Sequence, residues 1–101
     1  MEQRQVPVTQ ANIDDGLPKC GPACPVAKAL KDLDDIDGAW VTPRKIELNF
    51  GEKELKNSDE LKNWIKAFDR GYDILPITLN LDFINSKASI VTDQFQPIIT
   101  L

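Results

Sequence analysis

A chain of 101 residues, 42% of them hydrophobic, is bounded to a single small domain with apolar surface for one modest core. Its formal charge is −4, and its lysines and arginines are interleaved with acidic residues, so it lacks the concentrated basic face that nucleic acid demands. No apolar run approaches the ~20 residues of a membrane span, and Met1 to Gln5 carry neither the basic nor the apolar segment of a signal peptide, so a cytoplasmic protein without membrane contact is expected.

The chain opens on a short strand in which Val6 and Val8 share a face. Pro7 between them places it at a sheet edge, because proline donates no ladder hydrogen bond. Thr9 suits the N-cap of a short helix over Gln10 to Ile13, and Gly16 suits a left-handed stop after Asp14 and Asp15. Leu17 to Cys24 holds Pro18, Gly21 and Pro22 and reads as an irregular loop. Pro25 then fits a first helical turn. Val26, Leu30 and Leu33 recur at helical spacing, which predicts a helix over 25–33.

A β-meander follows. Ala39 to Thr42 is one strand, and Pro43-Arg44 turn the chain. Ile46, Leu48 and Phe50 alternate with Glu47 and Asn49 as a strand with one buried face, and Gly51-Glu52 turn it again before Lys53 to Leu55. Asn57 or Ser58 caps the main helix, with Glu60 completing a capping box from Asn57. Leu61, Trp64, Ile65 and Phe68 form its apolar stripe, read as the largest contribution to the core, and Gly71 ends it. Ile77, Leu79, Leu81 and Phe83 alternate with polar residues as a strand. Residues 84–101 are a C-terminal extension or a last strand. The expected fold is therefore α+β: a small antiparallel sheet of about three to five strands packed against one main helix (58–70), with a shorter helix (25–33) after the cysteine loop.

For chemistry the sequence offers little. It has no histidine, so the usual general base near neutral pH is missing and neither Ser58 nor Ser86 has an activating partner. No glycine-rich phosphate loop occurs, and no carboxylate sits in an apolar setting. Asp32 to Gly38 is acidic, but placing Gly38 at the calcium-loop glycine puts Leu33 at the first ligand and Arg44 at the closing glutamate. Two cysteines without histidine would need two carboxylates, such as Asp14 and Asp15, or a second chain to complete a zinc site. No metal or other cofactor is expected, and the chain reads as a non-enzyme.

Two features remain. Cys20-Gly21-Pro22-Ala23-Cys24 precedes a helix and resembles the Cys-Gly-Pro-Cys motif of the thioredoxin family, with Leu75-Pro76-Ile77 similar to that family's proline-led strand. It departs from that family by one extra residue between the cysteines, by too short a lead-in for a βαβ unit and by the lack of a closing helix. The resemblance implies a redox pair, and the bland alternative is a rigid loop whose thiols are small buried groups. The second feature is apolar surface to spare: Trp40 on a short strand, and Phe95, Ile98, Ile99 and Leu101 in the tail, which read as partner-binding candidates.

Finally, Val8 to Gly16 followed by Cys24-Pro25-Val26-Ala27-Lys28-Ala29-Leu30 resembles a set of short hypothetical proteins of bacteriophages and bacteria, with Trp64 to Gly71 and the strand to Phe83 as later matches. That resemblance spans residues 6–83 and implies an origin rather than an activity. It favours a small acidic protein-binding module, such as a phage-encoded inhibitor of a host protein. The alternative is a thiol–disulfide protein using Cys20 and Cys24, and a homo-oligomer paired through the last strand is a third expectation.

Overall fold

The computed structural model describes residues 3–91. In chain order they form strand β1 (Gln3–Val8), helices α1 (Gln10–Asp15) and α2 (Pro25–Lys31), strands β2 (Ala39–Val41), β3 (Lys45–Leu48) and β4 (Lys53–Asn57), helix α3 (Asp59–Asp69), and strands β5 (Ile77–Asp82) and β6 (Lys87–Ile90). One six-stranded sheet results, in the order β1-β5-β6-β4-β3-β2. Neighbours are antiparallel except β4 and β6, which run parallel with Lys56 beside Lys87 and Asn57 beside Ala88. The α+β class is as expected. The sheet is larger than expected and mixed rather than antiparallel. The crossover through α3 and β5 is what lets β6 return parallel to β4.

Alternation buries one face of every strand. Val6 and Val8 on β1, Ile77, Leu79 and Leu81 on β5, and Ala88 on β6 continue into Leu55, Ile46, Leu48, Ala39 and Val41 on the other three strands. Register makes these contiguous, with Val6 beside Leu79, Leu81 beside Ala88, and Ile46 between Val41 and Leu55. The opposite face carries Thr78, Asn80, Lys87, Lys56, Glu54 and Glu47, partly or fully exposed.

Helix α2 fills the buried side. Pro25, Val26, Ala27, Ala29 and Leu30 are all buried, and the helix packs on both edge strands, β1 and β2. A flat sheet of this order would hold those edges about 24 Å apart, roughly twice the diameter of a helix, so the sheet must curl around α2. Small residues at 27 and 29 permit that close approach. The helix ends at Lys31, short of the expected Leu33, although Leu33 and Ile36 still pack against the core.

Helix α3 is a more peripheral element than its stripe suggested. Its N-cap is Ser58, whose hydroxyl accepts from Leu61 N–H at 3.2 Å. Asn57 is instead the buried last residue of β4, its amide donating to the carbonyls of Thr42 and Pro43 at 2.9 and 3.1 Å. Leu61 and Ile65 are buried, but Trp64 lies at the rim, donating from Nε1 to Leu75 O at 3.0 Å, and Phe68 stays partly exposed. The helix sits mainly on β4 and β6, whereas α2 lies inside the curl. The expectation that α3 dominates the core is therefore replaced by α2.

Candidate functional site

Strand β2 is three residues long and lies at the sheet edge, where its alternation turns Ala39 and Val41 inward and Trp40 outward. Trp40 is 54% exposed. The cysteine loop runs along the outer side of this strand, with Val41 N–H donating to Gly21 O at 2.9 Å. The indole rests directly on Gly21: a Cβ there would lie 2.5 Å from Trp40 Nε1. Only glycine leaves room for the ring at that point.

The β3–β4 turn supplies the second aromatic. Asn49, Phe50 and Gly51 all have positive φ, at 53°, 60° and 91°. Asn and Gly tolerate this region, but a bulky side chain in it costs about 1–2 kcal/mol. Hydrogen bonds hold the turn in place: Asn49 N–H donates to Gly38 O, and Asp37 N–H donates to Asn49 Oδ1, both at 2.8 Å. Phe50 is consequently 90% exposed, with its ring edge over Gly38. The sequence had placed Phe50 on the buried face by extending the alternation of Ile46 and Leu48. The strand stops at Leu48, and the Asn-x-Gly pattern around Phe50 was the signal that it would.

Trp40 and Phe50 wall one open groove of about 580 Å³, to which Pro22, Ala39, Lys31, Asp37 and Glu47 also contribute. A second concavity, of about 340 Å³, lies on the other side of Trp40 and is lined by Cys20, Cys24, Lys19 and Asp69. The loop is tied to α3 there, because Lys19 N–H donates to Asp69 Oδ1 at 2.8 Å. Of the sequence candidates, the structure thus brings Trp40, Cys20 and Cys24 together. Phe95, Ile98, Ile99 and Leu101 lie outside the described residues.

Both cysteines are free thiols, Cys20 half-buried and Cys24 buried as the N-cap residue of α2. Burial pushes the Cys24 thiol pKa up, against the downward pull of the Ala27 and Val26 amides, and the charge of Asp69 adds to the rise. That is the reverse of the activation a redox nucleophile needs. It also links stability to pH. The unfolded thiol ionises first, so stability should be intact below about pH 8.5 and should fall as pH rises past it. Cys24→Ala should flatten that fall. Urea midpoints between about pH 7 and 10 check this, and the same slope in both proteins would show that the thiol is not held neutral.

Among the described residues no group of three or more His, Cys, Asp or Glu converges as a metal site, and no helix is long and apolar enough to cross a membrane. Set against family models, curated proteins and solved structures, the chain matches none.

Proposed function

We propose that the chain is a non-enzymatic protein-binding module that docks its partner on the groove between Trp40 and Phe50. The observation that carries this reading is Phe50, a large apolar side chain held exposed in a backbone conformation that disfavours it. Strain of this kind persists where the surrounding structure imposes it, and such places cluster at functional sites. An exposed Trp and Phe in one concavity of ordinary ligand-pocket size is the composition of an interface hot spot. With the resemblance noted above, the partner class is a host protein and the module a phage-encoded inhibitor or modulator acting in the cytoplasm. The alternative, a thiol–disulfide protein, draws on the shared pocket of Cys20 and Cys24; the raised pKa of Cys24 removes that thiol as the attacking nucleophile and leaves it only the resolving role.

Phe50→Gly separates the two contributions of this residue. Glycine relieves the left-handed strain, so the variant should gain about 1 kcal/mol of stability. It should also lose at least about 2 kcal/mol of partner binding, roughly thirtyfold. A tagged pull-down from host lysate with wild type, Phe50→Gly and Trp40→Ala, beside urea denaturation, reads both effects. A stoichiometric partner retained equally by all three would remove the groove from the function. A dimer in light scattering that both substitutions dissociate would identify a second copy as the partner.

A further inference from the structure

Resting on that docking reading, we propose that the groove is a receptor for a cationic side chain, and that it docks a basic peptide segment by taking one Arg or Lys between Trp40 and Phe50. Two aromatic walls alone would accept any apolar group, so the charges beside them decide. The ionisable residues lining the groove are Lys31, Asp37 and Glu47. The ammonium of Lys31 is engaged by Pro22 O, on the wall formed by the cysteine loop. Among the described residues the carboxylate of Asp37 has neither an ion pair nor a side-chain hydrogen bond; only its backbone N–H is used. Glu47 meets Lys45 at 3.0 Å, but both side chains are partly in water, and Lys45 is shared with the exposed Glu54 at 3.4 Å. A solvent-accessible ion pair with a shared cation leaves Glu47 open to a second, incoming cation.

The surroundings reinforce the sign. Asp32, Asp34 and Asp35 lead into Asp37, and among the described residues only Asp35 of these has an ion pair, with Arg4. Among the described residues an anionic ligand would face the two carboxylates of Asp37 and Glu47 against one lining cation, Lys31, whose ammonium is turned to Pro22 O. A neutral apolar ligand would gain from the rings but nothing from the carboxylates. A guanidinium or ammonium gains from both, because the negative faces of Trp and Phe attract cations and the carboxylates supply the counter-charge. The groove volume of about 580 Å³ admits one such side chain with its flanking backbone.

The test is an NMR titration of the full chain, reading the Trp40 indole N–H, assigned with Trp40→Phe, and the Gly51 amide. The probes are Ac-Gly-Arg-Gly-NH2, its lysine counterpart and its neutral citrulline counterpart. Saturable shifts are expected with the arginine and lysine peptides. The citrulline peptide should bind about tenfold more weakly, as should the arginine peptide to Asp37→Asn, and Phe50→Gly should abolish the shifts. Arginine ahead of lysine would show that ring stacking adds to charge, and equal affinities would show that charge alone suffices; either result supports the proposal. Citrulline binding as well as arginine, indifference to Asp37→Asn, or no movement of Trp40 with any peptide would overturn it. A pulled-down partner that depends on Phe50 while these peptides leave Trp40 unmoved would preserve the docking reading and discard this one.

Discussion

Leu30→Ala is expected to destabilise the domain by about 2–5 kcal/mol, and Phe68→Ala by less although it removes the larger side chain. Leu30 is fully buried on α2, the helix enclosed by the curl of the sheet. Around it lie Val26 on the same helix and the inward residues of β1 and β2, all part of one core cluster. Truncating Leu30 leaves a cavity that a curled sheet closed on both edges has little freedom to collapse. Phe68 is the larger side chain, and by size alone its loss would be the worse. It is partly exposed near the end of α3, however, and stands outside the core cluster. Part of its apolar area therefore stays in water in the folded state, and truncating it opens a site at the surface rather than a sealed cavity, so it loses less than Leu30 does. Urea denaturation of the two variants, with unchanged slopes, reads the comparison directly. Equal losses would restore α3 as the principal core helix.

The contrast between those two helices marks where the sequence is informative. Local patterns carry through: Thr9 does cap α1, with its hydroxyl accepting from Asn12 N–H at 3.2 Å, and the alternation of Ile77, Leu79 and Leu81 is a strand buried on one face. The consecutive strands β2, β3 and β4 form the expected meander, because each turn lies within a few residues. What depends on distant pairing does not show. The parallel contact of β4 with β6 rests on two residue pairs separated by a helix and a strand, and β6 is a run of only four residues with the small Ala88 as its buried member, too little to announce a strand. A helix stripe shows only that one face is apolar, not how deeply it is covered. The stripe of α3 is the stronger pattern in the sequence, yet α2 is enclosed more fully because it bridges both sheet edges. The site divides in the same way. Trp40 stood out because an aromatic on a short strand needs a side to face. Phe50 did not, because the alternation of Ile46 and Leu48 runs on through it in the sequence, whereas in the structure three residues of positive φ break the strand. The loop of Cys20 and Cys24 was visible, whereas the burial that holds the Cys24 thiol neutral comes from elements remote in the chain.

Gly16→Ala is expected to cost about 1–3 kcal/mol, for a reason different from the one the sequence implied. A glycine after a short helix usually supplies a left-handed stop, and Gly71 does so after α3, with φ at +83° and open space where a Cβ would stand. Gly16 has φ at −73°, which any residue adopts. Its constraint is contact. A Cβ would lie 2.6 Å from Pro25 Cδ, 2.7 Å from Cγ and 2.8 Å from the backbone nitrogen. A pyrrolidine ring cannot swing aside, and Pro25 is itself buried at the first turn of α2, so relief must come from moving α1 away from α2. Those helices are packed together, and α2 is the one the sheet encloses, so the displacement spreads into the core. The two explanations separate by substitution. Asparagine should largely preserve stability at position 71, where the conformation is the constraint, and should cost as much as alanine or more at position 16, where space is. A double-mutant cycle localises the clash further: in a Pro25→Ala background, where the ring carbons are gone, Gly16→Ala should lose less stability than in the wild type. Equal costs in both backgrounds would show that the ring is not what position 16 accommodates.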